Sequence, residues 1–298
     1  MALWGLYYNL HNFGGFDFIS RTSAEVERGR HSGVLSVFKF LGYIIAPLLV
    51  GFIMAGTGNE VGMGPFVLAW AVIAISFLFY LIVVWEGHSR ELSLSPVASL
   101  PTTERGMRAL RRIGSVIFPV LLFTALYNVV ESFFWTLGPL LAENFRELHP
   151  WNGLFVTAYF LPLLFSGWFV GRITRKFGKK RSAFAAMALG ASILTSFYFV
   201  ENPYALLVLI FLASLFITFS LPSINSAYVD YISEDRGEER EIESLTDFAA
   251  NGGYIVGPVL AGFLADTFGN LHTFGFLGIG ALVAALLLLR FTPRQINI

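Results

Sequence analysis

Apolar residues come in long unbroken runs along this chain, separated by short polar connections. FVLAWAVIAISFLFYLIVVW, residues 66–85, is one such run and ALLVLIFLASLFITF, residues 205–219, another. A helix needs about 20 apolar residues to cross a hydrocarbon core. Strands that cross an outer membrane alternate apolar and polar residues over about ten positions, and these runs do not alternate. The pattern predicts nine spans, at 2–20, 34–56, 65–85, 114–137, 151–171, 182–200, 203–226, 247–267 and 272–290. The first is the weakest, because YYNLHNFGGFDF interrupts it with polar residues and paired glycines.

Composition agrees with that reading. Hydrophobic residues make up 55% and charged residues 13%, with mean hydropathy +0.66. A soluble domain carries about 25% charged residues. The expected fold class is therefore all-α, a polytopic membrane helical bundle. There are no cysteines, which excludes disulfides and thiolate metal sites. Met1 is followed by ALWGLYY, without the basic stretch that opens a secretory signal.

Charge sets the orientation. GRITRKFGKKR, Gly171 to Arg181, packs six Lys and Arg into eleven residues between two apolar runs. All cations except Arg146 and Lys39 fall in alternate connections or in the C-terminal tail. Short loops rich in Lys and Arg stay cytoplasmic, so the C-terminus is expected inside and the N-terminus outside. A nucleic-acid partner is not expected, because the basic run is a membrane-side loop. Residues 87–113, with Pro96 and Pro101, read as a cytoplasmic linker between a first helical half at 1–86 and a second at 114–298. TERGMRALRR within the linker suits either a basic helix on the membrane surface or a solvated connection.

An internal repeat supports two halves. GYIIAPLLVGFI, Gly42–Ile53, matches GYIVGPVLAGFL, Gly253–Leu264, at seven of twelve positions. FDFIS, from Phe16, corresponds to VDYIS, from Val229. Spans one and two thus correspond to spans seven and eight, as in duplicated transporters. Spans four to six have no counterpart in the first half. The expectation is a twelve-span unit lacking its first three spans, completed by an N-terminal segment or a second copy.

Two halves, a long central loop and a basic loop between helices of a half resemble the major facilitator superfamily. The loop pattern G-x-x-x-D-R-x-G-R-[RK] of that family falls on Gly171, Arg175, Lys176, Gly178, Lys179 and Lys180, with Arg175 at the acidic position. The second span resembles the proline-glycine motif of drug:proton antiporters through Gly33, Gly42, Pro47 and Gly51. Span eight keeps Gly257, Pro258 and Gly262, together with Gly253. The resemblance implies a facilitated or ion-coupled transporter that works by alternating access, with a slight lean toward export. Physics alone gives the small residues a helix-packing role just as readily.

Ionisable groups inside hydrocarbon are costly and usually face a cavity or a partner. Glu131 lies mid-span, and Tyr127, Asn128 and Trp135 share its helix face at spacings of three and four. That stripe suits a substrate or proton pathway, and its alternative is a structural lock between helices. Tyr8, His11 and Asn12 in the first span are further pathway candidates, with hydrogen-bonded structure as the alternative for His11. Asp17 and Asp230 are repeat-related and suit a shared structural job such as pairing with loop arginines, with a proton role as the alternative. Lys39 either snorkels, neutralises an acid or meets an anionic substrate. Ser214, Thr218, Ser220, Ser223 and Asn225 form a polar seam in span seven, and Asp247 and Asn251 lie one turn apart in span eight. No enzyme motif and no metal-ligand spacing is present. The expected function is secondary transport of a small solute across the bilayer, with no cofactor and with a proton as the coupling ion the residues suit. A membrane receptor or interaction subunit on the same fold is the alternative. The substrate itself has no signature.

Overall fold

Inside hydrocarbon a backbone has no water to bond, so each apolar run must satisfy its own N–H and C=O groups as a helix. The computed structural model describes residues 28–56, 62–87, 103–144, 151–234 and 239–292, and every regular element among them is helical. The helices are α1 (Arg28–Gly56), α2 (Gly64–Gly87), α3 (Thr103–Asn144), α4 (Leu154–Phe160), α5 (Leu163–Phe177), α6 (Lys179–Thr195), α7 (Pro203–Glu234), α8 (Glu239–Phe268) and α9 (Asn270–Phe291). Short 3₁₀ turns, Trp151–Gly153 and Ser196–Tyr198, precede α4 and follow α6. The expected first span lies outside the described residues.

Five helices among the described residues are long and apolar enough to cross a membrane: α2, α3, α7, α8 and α9. The expected fifth span is broken. Leu154–Ser166 and Val170–Phe177 meet at a bend of 70°. Pro162 separates α4 from α5, where it has no N–H to continue the helix. In α1 the described apolar part is Val37–Ile53. The sixth span is shorter than expected, since α6 ends at Thr195. Its second face is built from Ala183, Ala186, Ala188, Gly190 and Ala191, all buried, so α6 is fitted for close packing. By contrast α3 begins at Thr103, so the last part of the expected linker is helical.

The described residues fall in two compact units, one within Met1–Tyr43 and Glu60–Ser99, the other within Ile44–Asn59 and Leu100–Ile298. In the smaller unit, no described side chain of Gly64–Ile82 is buried. Phe66, Trp70, Ile75 and Phe79 are exposed apolar groups, a surface that only lipid or another apolar helix can cover at low cost.

In the larger unit α3 pairs with α8, and α6 packs between α7 and α9. Glycines make these contacts close. A Cβ at Gly253 would strike the Ala125 carbonyl, and one at Gly257 would strike the Ser132 hydroxyl. Gly114 faces Leu245 at the other end of the pair, so α3 and α8 run side by side in the same direction. Gly190 sits against Ile217 and the Ala213 carbonyl of α7, and Gly278 against the Ala191–Thr195 backbone of α6. An aromatic core joins the helices: Phe134, Phe155 and Phe197 all surround Phe274, with ring centroids 4.8, 6.4 and 5.9 Å from it.

Candidate functional site

Glu131 sits on α3 between Pro119 and Pro139, half-buried. One turn before it, Tyr127 is buried; one turn after it, Trp135 is 42% exposed. The phenol of Tyr159, on α4, lies near enough to feel the Glu131 charge. Tyr159 is itself stacked on Phe134 at 3.8 Å and meets Phe160 edge-on at 4.9 Å. Phe160 in turn packs against Trp135 at 5.1 Å. These contacts make an aromatic wall between α3 and α4, with the Glu131 carboxyl beside it. Phe134, Tyr159 and Phe160 are buried in that packing, so the site presents the Trp135 ring and the half-buried carboxyl, which can bind a cation or carry a proton.

The predicted stripe is therefore divided. Tyr127, Glu131 and Trp135 follow one line along α3, but Asn128 serves another purpose. Its amide donates to the Thr124 carbonyl at 2.7 Å, and its Cβ lies where Gly253 approaches. Asn128 is thus a buried part of the α3–α8 contact. Tyr159 and Phe160 were missing from the expected site, because their nearness to Glu131 arises from packing of α4 on α3.

The hydroxyl seam of α7 bonds mostly within its helix, with Ser214 also reaching the Ala158 carbonyl of α4 at 3.4 Å. Thr218 donates to the Ser214 carbonyl, Ser220 to Ile217 and Ser223 to Phe219, each within 3.0 Å. These bonds satisfy groups that would otherwise be unpaired in hydrocarbon, beside the break at Pro222. Asn251 and Asp247 lie exposed on α8, apart from the glycines that face α3. Lys39, in the smaller unit, holds its ammonium 5.8 Å from the ring centre of Tyr43, one turn along α1. Tyr8, His11, Asn12 and Asp17 lie outside the described residues. No group of His, Asp and Glu fit to hold a metal ion occurs among the described residues.

The basic loop forms an elbow. Gly178 ends α5 and starts α6 with φ of +86°, a conformation that favours glycine. Lys179 reaches α7, with its ammonium 2.6 Å from Asp230 and 3.0 Å from the Ser226 carbonyl. A loop arginine is the expected partner of Asp230, and the elbow brings it a lysine. Arg175 is exposed and donates from Nε to the Gly171 carbonyl on its own helix. Lys176 lies with its ammonium 5.3 Å from the Phe177 ring centre, and Gly171 borders open space.

The proline-glycine motif also divides. Thr157 donates to the Ile44 carbonyl at 2.9 Å, Gly153 lets the backbone of its turn meet the Pro47 carbonyl, and Trp151 packs edge-on against Phe52 at 4.6 Å. As α1 advances from Ile44 to Phe52, α4 and its turn recede from Thr157 to Trp151, so the two pack antiparallel. Gly51 is buried, whereas Gly42 and Gly262 border open space, so those two do not make the close contacts expected of them. Gly33 lies within α1 and Pro258 within α8.

A sequence model of the Major Facilitator Superfamily matches residues 5–236 and again residues 120–296. The chain belongs to the Major Facilitator Superfamily. The superfamily carries solutes across membranes, and this member's apolar helices make it an integral membrane protein. The second match covers the α3–α9 bundle, the part of this superfamily member that holds Glu131, the elbow and the Gly253–Gly257 contact. No curated protein matches the chain.

Proposed function

We propose that this protein moves a small solute by alternating access, coupled to protons through Glu131, in the export direction. The single observation that carries the reading is a half-buried carboxyl in mid-span beside Tyr159, flanked one turn away on either side by Tyr127 and Trp135. A carboxyl in such a position is expensive as a free charge, so it exchanges a proton or binds a cation as its surroundings change. The exposed ring of Trp135, backed by the buried Phe160, supplies the contact surface for the solute. Rocking of one helical half against the other would expose that surface first to one side of the membrane and then to the other. The elbow of α5 and α6 would face the cytoplasm, with the C-terminus on the same side.

The test uses the chain reconstituted in proteoliposomes, with a panel of labelled solutes that includes organic cations, sugars and metabolite anions. A transported solute is expected to accumulate when a pH gradient is imposed. Glu131→Gln is expected to keep solute exchange between the two sides while losing accumulation by the gradient. Equal accumulation by Glu131→Gln and the parent would remove Glu131 from the coupling. Binding without exchange for every solute would favour the receptor reading instead.

A further inference from the structure

The outer surface of the α5–α6 elbow is uniform in sign. No Asp or Glu occurs between Glu147 and Glu201, a stretch that contains six of the chain's cations. Thr174 is buried and bonds its own helix at the Val170 carbonyl, which fixes the inward face of α5. The side chains around it, Arg172, Ile173, Arg175, Lys176 and Phe177, are all exposed. Basic groups at 172, 175 and 176 and apolar groups at 173 and 177 therefore lie side by side on the exposed surface at the end of a membrane helix. Phe177 is 60% exposed, with the Lys176 ammonium over its ring. A surface facing only water gains nothing from an exposed Phe and Ile, and one facing only acyl chains does not tolerate three cations. That mixture suits the boundary between acyl chains and headgroups, where cations snorkel and rings lie flat.

Lys179 supplies the second observation. Its ammonium is drawn to α7 by Asp230 and the Ser226 carbonyl, so the elbow is pinned in one orientation. Arg175 is likewise held along α5 by its bond to the Gly171 carbonyl. The cationic arc of Arg172, Arg175 and Lys176 is thus preorganised rather than a loose basic tail. The geometry points to a binding site for an anionic phospholipid headgroup, with its phosphate at this arc and its acyl chains against Ile173 and Phe177. The partner is a lipid and not a free anion, because the apolar half of the surface recognises the chains.

The experiment is native mass spectrometry of the full chain in detergent, titrated with dioleoylphosphatidylglycerol, dioleoylphosphatidylcholine or inorganic phosphate. Phosphatidylglycerol is expected to bind more tightly than phosphatidylcholine. Each removed cation should weaken it about fivefold, so R172Q/R175Q/K176Q should lose on the order of a hundredfold. A control, R111Q/R290Q, removes two exposed cations elsewhere and should bind as the parent does. If the triple variant does not fold, R175Q alone is expected to show the single-cation loss. Equal binding of the two lipids, unchanged affinity in the triple variant, or an equal loss in the control would overturn the site. Displacement of phosphatidylglycerol by equimolar inorganic phosphate would overturn its assignment to a lipid.

Discussion

A single missing methyl group decides how near two membrane helices come. Gly253 and Gly257 are one turn apart on α8, and both meet α3 where a side chain would collide with the Ala125 carbonyl or with Ser132. Gly262, one residue past the next turn, borders open space, as Gly42 does on α1. The same substitution should then have opposite signs. Gly253→Ala is expected to destabilise the bundle by about 1–3 kcal/mol through overpacking. Gly262→Ala is expected to be neutral, or to gain up to about 1 kcal/mol from helix propensity. Thermal unfolding midpoints in detergent compare them directly, and equal shifts would mean that the α3–α8 approach is not set at Gly253. The sequence marked these glycines by motif and repeat. It did not reveal which of them faces a backbone, because spacing identifies a face and only packing identifies its neighbour. Asn128 illustrates the same limit: spacing put it beside Glu131, whereas the close approach of Gly253 makes it part of the α3–α8 contact.

At the scale of elements, three helices share one hydroxyl node. Tyr228 of α7 bonds Thr124 of α3 at 2.8 Å, and Thr246 of α8 lies close enough to act on the same phenol. Both threonines give their protons to their own helices, at the Val120 and Ile242 carbonyls. The phenolic proton therefore goes to the Thr124 oxygen, so Tyr228 ties α7 to the α3–α8 pair. Tyr228→Phe keeps the ring and removes the tie, with an expected loss of about 0.5–1.5 kcal/mol. Thr124→Val combined with Tyr228→Phe should cost less than the sum of the two single changes, because both remove the same bond. Strict additivity in a double-mutant cycle of unfolding would show that the hydroxyls do not act together. Helix existence was readable from apolar length for nearly every described element. Helix ends were less so: Pro162 broke the fifth span and Thr103 began α3 early, since propensity and capping act there rather than hydropathy. The node had no sequence signal, as its three members are far apart along the chain.

At the scale of the molecule, charge orients what hydropathy inserts. Lys and Arg in the connections of one side resist translocation, and the expected alternation of spans assigns the elbow to that side. The repeat leads to an expectation of two halves, and the superfamily model matches residues 5–236 and again 120–296. The site around Glu131 was legible only as a carboxyl on a helix face, because Tyr159 and Phe160 reach it through tertiary packing. Orientation can be tested without altering the loops that set it. The chain has no native cysteine, so a single introduced thiol is the only one that a maleimide can find. Glu201 precedes α7 and Phe291 ends α9, and both are exposed. Glu201→Cys is expected to react with a membrane-impermeant maleimide in intact cells. Phe291→Cys should react only after the membrane is opened, because the three crossings α7, α8 and α9 put it with the basic loops. The reverse pattern would invert the topology and put the Arg172–Lys176 arc outside. Labelling of both residues in intact cells would mean that the chain inserts in two orientations, with cations too evenly spread to choose one.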